Sequence, residues 1–245
     1  MTNELVPEDL RFVVSHLPKD MVELLKKFPL FVAGGFIRAI IAGETPSDID
    51  VFGYDRATLE LIAKDFASGR EGRLFSTDNA CTVLAPPRLP VQFITRWLYS
   101  DSRMLIESFD YTVCQAVVWW SEDRWHSLVT PRFYIDLAAR RLVYICPARD
   151  EAAGGSLLRA MKYIRRGYNI SPESLAFVIA RFVSGVKGFS SHPDIELSQI
   201  LTGLLREVDP LTVIDGLELR DFTGKTPDPV DVLNVSDTQN EKETP

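Results

Sequence analysis

Cysteine and histidine are scarce, three of each in 245 residues. Cys81, Cys114 and Cys146 stand more than thirty positions apart, with no CxxC pair and no histidine close by. That spacing excludes a disulfide framework and a structural zinc site, and buried free thiols are expected. His16, His126 and His192 are equally isolated, so none brings the positioned partner by which a general base is recognised. Long apolar runs are lacking too: nothing approaches the roughly 18–20 residues of a membrane span. The opening MTNELVPEDL is acidic where a signal peptide would be basic and then apolar. A cytoplasmic protein without a membrane partner is expected. Positive charge is in deficit, with a formal net charge of −7, which by itself argues against a nucleic-acid binder. Its distribution weakens that argument. Residues 221–245 hold six acidic side chains against two lysines, leaving the rest only mildly acidic. With three prolines after Asp221 and little apolar periodicity, this tail is expected to be a disordered extension.

What is present is an ordinary globular mixture, 46% hydrophobic and 25% charged, enough for one large or two small domains. Apolar spacing predicts helices within 8–17 and 21–25, then a short buried strand, LFVAGG, and a helix, FIRAIIAG. DIDVFG reads as a second strand, residues 57–67 as an amphipathic helix and SGREGR as a flexible connection. Strands are expected at 73–77, 80–85 and 90–96. DSRMLIES is helical, whereas VCQAVVWW suits a strand or a buried helix equally well. After Ala148 the pattern is helical throughout: LLRAMKYIRRGY, PESLAFVIARFVSG and IELSQILTGLLREV. The succession predicts an α+β fold, a mixed sheet with helices over residues 1–147, then an all-helical segment over 148–220 and the acidic tail over 221–245.

The residues that carry chemistry are Gly34, Gly35, Arg38, Asp48 and Asp50. Asp48 and Asp50 alternate along a strand and so point to one side. Two carboxylates this close stay ionised together only around a cation, and hard oxygen ligands suit Mg²⁺ brought in with substrate phosphates. A glycine turn opening a helix offers backbone N–H groups to a triphosphate, and Arg38, one turn in, can reach the same phosphates. Either motif alone is common. In the order strand, GG, helix, turn, DxD, they point to phosphoryl transfer.

GGFIRAIIAGETPSDIDVFG resembles the opening motif of the class II nucleotidyltransferases, the CCA-adding enzymes and bacterial poly(A) polymerases. VQFITRW looks like that family's next strand, FDYTVCQA resembles its RRDFTINA motif, and SLLRAMKYIRRGYNISPES is similar to its neck sequence. The resemblance runs collinearly over roughly residues 30–180. It implies a nucleotidyltransferase head, a helical neck and transfer of NMP from NTP to an RNA or tRNA 3′ hydroxyl, with pyrophosphate released. On this resemblance Asp48 and Asp50 hold two Mg²⁺ ions, Gly34, Gly35 and Arg38 cradle the triphosphate, Asp110 lies near the ribose or the metals, and Arg159 reads the base edge. The departures are specific. Gln92 stands where the family usually has a third strand carboxylate, leaving a two-acid site, one completed by Asp110, or an impaired one. Phe109 replaces the arginine before Asp110, Ala39 replaces an aspartate, and Ala152, Ala153 and Ser156 replace the acids and first arginine of the neck motif.

Without the resemblance, Leu157, Met161, Ile164 and Tyr168 form an apolar stripe, while Arg159, Lys162 and Arg166 line another face. That charged face is either simply solvated or meets a nucleotide or RNA phosphate, which makes Lys162 a further candidate nucleotide contact. Trp119, Trp120, Trp125, Phe133 and Tyr134 suit core packing better than base stacking. The reading is a Mg²⁺-dependent nucleotidyltransferase using NTP, with Asp48, Asp50 and Asp110 as catalytic candidates and RNA or tRNA as acceptor. Two alternatives stand beside it: the same chemistry on a protein or small molecule, as in a toxin or defence effector, and a degenerate non-catalytic nucleotide-binding module.

Overall fold

The computed structural model describes residues 3–145, 147, 154–184 and 193–207, the last six as backbone. Cys146 and the 221–245 tail lie outside these residues. The chain divides into two compact units, Met1–Asp150 with Tyr163–Ile179, and Glu151–Lys162 with Ala180–Pro245. Among the described residues, no helix is long and apolar enough to cross a membrane.

The first unit is built on seven strands: β1 (Phe31–Ala33), β2 (Ile49–Phe52), β3 (Arg73–Ser76), β4 (Ala80–Leu84), β5 (Val91–Ile94), β6 (Ala116–Ser121) and β7 (Arg124–Val129). Their order is β3-β4-β5-β2-β1-β6-β7. Only β2 and β5 run parallel; the other neighbours are antiparallel, so the sheet is mixed, as expected for the α+β class. The run VCQAVVWW resolves into a 3₁₀ turn at Thr112–Cys114 followed by β6. The hairpin to β7 turns on Glu122 and Asp123, both at positive φ (49° and 56°), as a tight two-residue connection requires. Sequence reading misses β7, because its burial is uneven and its turn lacks the usual glycine.

The two faces of the sheet differ in chemistry. Ile49, Val51, Val91 and Phe93 are fully buried, and Phe93 meets Phe66 of helix α4 (Arg56–Gly69) at 5.8 Å between ring centroids. This helix starts where Asp55 accepts the Thr58 N–H at 2.7 Å. The opposite face carries Asp50, Gln92 and Thr82, one from each of three adjacent strands. Helices α1 (Pro7–Ser15), α2 (Lys19–Lys27) and α3 (Gly35–Ile41) complete the N-terminal half, and α5 (Ser102–Glu107) and α6 (Phe133–Ala138) follow β5 and β7. Strand β8 (Arg141–Leu142) pairs in parallel with β9 (Asn169–Ile170), which ties the Tyr163–Ile179 segment to its own unit.

Three expectations are corrected. SGREGR is not a loose connection: Arg70 is buried and grips Asp20 through two hydrogen bonds (2.7 and 2.9 Å) while lying 4.2 Å above the Phe66 ring. Along α7 (Gly155–Arg165), Met161 and Ile164 are largely exposed, and Leu158, Ala160 and Tyr163 are buried instead. The expected stripe fails because Tyr168 lies beyond Gly167, whose φ of 86° ends the helical phase before that residue. And Asp48 sits just ahead of β2 rather than within it. In the second unit, α9 (Asp194–Glu207) forms where IELSQILTGLLREV predicts a helix; α8 (Pro172–Ser184) begins in the first unit and ends in the second.

Asp136 is the main buried anion of α6. Thr112 Oγ1 donates to it at 2.7 Å, and Arg132 and Arg141 reach its two oxygens at 2.6–3.0 Å. Burial pushes this carboxyl up, but the three donors outweigh it and hold it below the usual carboxylate range. The stabilisation is present above the unfolded value near pH ~4 and is lost as pH falls through the lower folded value. Asp136→Ala is expected to cost about 2–3 kcal/mol in urea denaturation at neutral pH. The stability gap between wild type and Asp136→Asn should close on acidification below pH ~4; a gap independent of pH would refute this account.

Candidate active site

Strand β1 ends in a forced turn. Gly34 adopts φ 81° and ψ −129°, a conformation open almost only to glycine. Its N–H donates to the Ala116 carbonyl of β6 at 3.0 Å. A Cβ here would lie 2.7 Å from Cε1 of Phe109, so the phenyl ring closes directly over the glycine. Gly35 then opens α3, with only the Tyr163 hydroxyl, at 3.9 Å, near the place of a Cβ. The turn therefore brings β1, α3 and the Phe109-Asp110 segment together. Phe109 also meets Phe52, two residues beyond Asp50, edge-on at 5.9 Å.

Asp48 and Asp50 are both half-buried at the head of β2. Ser47 Oγ donates to Asp48 at 3.0 Å. Asp50 is in register with Gln92 of β5, which is in register with Thr82 of β4. Side chains directly opposite each other share a face, with Cβ atoms about 5 Å apart. Gln92 thus stands on the strand beside Asp50, where a third carboxylate would complete an acid cluster. Among the described residues, no group of three or more His, Cys, Asp or Glu side chains is close enough to hold a metal ion. The donors that are present, two carboxylates and a neutral amide oxygen, are all hard oxygen ligands. They fit a divalent cation that fills its remaining positions from phosphate and water.

Arg38 is placed differently from an open phosphate contact. It is 1% exposed, and its Nη1 donates to Glu44 at 2.6 Å and to the Tyr168 hydroxyl at 3.2 Å. The guanidinium lies 4.6 Å from the centre of the Tyr163 ring and 5.5 Å from that of Tyr168. Burial opposes the charge, but Tyr163, Cys114, Tyr168 and Glu44 outweigh it and hold the group more firmly protonated than a free arginine. Burial in turn drives the Tyr163 phenol well above its usual value, and its hydroxyl lies 3.0 Å from Cys114 Sγ. Asp110 is buried, and its backbone carbonyl accepts the Ile145 N–H at 3.0 Å. Arg159 and Lys162 are half-buried on α7, within the second unit.

Sequence reasoning missed Glu44, Tyr163 and Tyr168 as neighbours of this site. Glu44 carried a weak signal, being the single acid in the turn between the glycines and the DxD pair. The tyrosines carried none, because their nearness to Arg38 depends on a chain return of more than 120 residues.

The fold is that of solved CCA-adding enzymes. It matches the Thermotoga maritima CCA-adding enzyme complexed with tRNA (TM-score 0.54, 18% identity, 85% of this chain and 52% of the other). It also matches a CCA-adding enzyme in complex with ATP (TM-score 0.52, 20% identity, 86% and 53%). Residues 5–140 match the model of the Gabija anti-defense 2 family, and the chain belongs to that family. A relative, Gabija anti-defense 2 of Bacillus phage SPbetaL7, is 25% identical over 169 residues, 67% of this chain and 40% of its own length. The chain spans about half the length, or less, of these relatives.

Gly34→Ala combines a forbidden backbone with a collision and is expected to cost about 2–4 kcal/mol. Gly35→Ala should change stability by less than about 1 kcal/mol. Chemical denaturation of the two variants tests the asymmetry, and equal losses would contradict it.

Proposed function

We propose that this chain is a Mg²⁺-dependent nucleotidyltransferase that moves NMP from NTP to a hydroxyl acceptor in the cytoplasm and serves an anti-defence role. The observation that carries the reading is the half-buried Asp48 and Asp50 pair at the head of β2, with Asp50 in register beside Gln92. In the reaction the acceptor oxygen bonds to the α-phosphorus, the bond from that phosphorus to the bridging oxygen breaks, and pyrophosphate leaves with the electron pair. Divalent ions, when bound, lower the pKa of the acceptor hydroxyl and neutralise the leaving group. Asp48 and Asp50 are the side chains that would hold them, with Gln92 as a neutral third donor.

The other residues divide the work of binding. Gly34 spends its N–H on Ala116, so its contribution is conformational, and Gly35 leaves room for phosphate at the turn. Arg38 serves the phosphates at one remove, as a positioning residue that fixes the turn leading from Glu44 to Asp48. Asp110, Arg159 and Lys162 complete the nucleotide contacts in this reading. The catalytic work of this reading belongs to residues 1–147, with α7 and α8 as the neck helices.

The likeness to CCA-adding enzymes supports an RNA or tRNA 3′ end as acceptor. A second reading is favoured by family membership: the acceptor hydroxyl belongs to a protein component of the Gabija defence. Incubation with each α-labelled NTP, Mg²⁺ and either total RNA or the defence proteins separates the two. Label is expected in one fraction with wild type and should fall about a thousandfold or more with Asp48→Asn or Asp50→Asn. Absence of label in both fractions, with an NTP-induced rise in melting temperature retained, would leave only the non-catalytic nucleotide-binding alternative.

Gln92→Glu tests the metal site separately. A third carboxylate raises ligand charge, so the Mg²⁺ concentration giving half of the NTP-dependent melting shift should drop several-fold. An unchanged midpoint would place Gln92 outside the site.

A further inference from the structure

Five arginines meet two covered carboxylates in the first unit, and the proposed chemistry uses one of the five only for positioning. Glu44 takes Nη1 of Arg38 at 2.6 Å and Nη1 of Arg140 at 3.1 Å, with Nη1 of Arg166 at 3.8 Å. Asp136 takes Arg132 and Arg141. The carboxylates lie beneath: Glu44 is 13% exposed and Asp136 is fully covered. Arg132, Arg140 and Arg141 are each about half exposed, and Arg166 is about a quarter exposed. Solvent therefore meets guanidinium groups with little carboxylate between them, on a chain whose overall charge is −7.

The two groups adjoin, because Arg140 and Arg141 are consecutive and Arg140 Nη1 also donates to the Arg166 carbonyl at 3.0 Å. Both hydrogen bonds of Arg140 run through Nη1, its guanidinium lies 5.6 Å from the centre of the Tyr168 ring, and the side chain is 45% exposed, so it offers donors to solvent. Crowded guanidiniums repel one another, and an anion presented to their remaining donors relieves that repulsion. Location narrows the kind of anion. Glu44 lies four residues before Asp48, so the Cα atoms of these two residues are no more than about 14 Å apart. A polymer whose terminal hydroxyl sits at the acids passes its last few phosphates within that reach.

We propose that Arg132, Arg140, Arg141 and Arg166 form a binding face for the sugar–phosphate backbone of single-stranded RNA and lead its 3′ end to the acid pair. This rests on the RNA-acceptor reading of the same site. The test measures binding of a 5′-fluorescent, unstructured RNA oligonucleotide by anisotropy across a salt series. It uses the full chain carrying Asp48→Asn, so that no transfer occurs.

The additional pair Arg140→Gln and Arg166→Gln is expected to weaken binding at least tenfold at low salt. The slope of log affinity against log salt should shrink by about 1.4, since each lost phosphate contact on a single strand contributes about 0.7. Arg140→Lys with Arg166→Lys should keep the slope, and Arg88→Gln, half-exposed beside Asp20, should change nothing. If the glutamine pair unfolds early, Arg132→Gln alone gives the same readout with a loss of about 0.7, because Asp136 keeps Arg141 and Thr112. Unchanged affinity and slope in these variants would overturn the proposal. So would equally tight, equally arginine-dependent binding of polyglutamate, which would mark an acidic protein partner. Labelled-NTP transfer by the wild-type protein is scored separately. Transfer without arginine-dependent RNA binding sinks this inference alone, and arginine-dependent binding without transfer sinks the catalytic reading alone.

Discussion

Arg38 is carried into the interior as a cation, and the surroundings of the proposed site are arranged to keep it charged there. Removing a guanidinium from water costs several kcal/mol. The return comes from Glu44, from two tyrosine rings and from the Tyr168 hydroxyl. The partners come from two distant parts of the chain: Glu44 from the turn before Asp48, and Tyr163 and Tyr168 from the returning segment that also supplies β9. Satisfying one buried charge thus fixes the glycine turn, the approach to the acid pair and the chain return against one another.

The sheet adds a second constraint. Its period of two sends Ile49 and Val51 into the core and leaves Asp50 on the other face. A one-residue slip of β2 would turn Asp50 into the core and expose Ile49 and Val51, so the cost of that slip protects the placement of Asp50. The parallel pairing of β2 with β5 then decides which side chain stands beside Asp50, and it is a glutamine. This donor set is poorer in charge than one with three carboxylates, so a cation proposed there would lean more on the oxygens of its substrate.

Phe109 shows how the turn departs from the arginine-bearing pattern it resembles. Its ring covers the face of Gly34 where any side chain would collide, and it joins Phe52 in an apolar contact beside the acid-bearing strand. Arginine gathers instead around Glu44, four residues before Asp48 in the chain, where Arg38, Arg140 and Arg166 converge.

By itself the sequence determined the mixed sheet, the glycine turn, the DxD pair and most helices, because these depend on side-chain period, turn chemistry and spacing within a dozen residues. The resemblance to the class II nucleotidyltransferases also marked Gln92 as a departure, because VQFITRW aligns with that family's next strand. Only the tertiary structure decided that Arg38 is enclosed, that Arg70 pins a turn to Asp20, that β7 exists as an edge strand, and that five arginines converge on two carboxylates. Those facts depend on pairings between residues up to 130 positions apart. Local pattern carries no information about which distant partner a buried charge will find; packing makes that choice, because a buried charge must be satisfied by whatever the fold brings within reach.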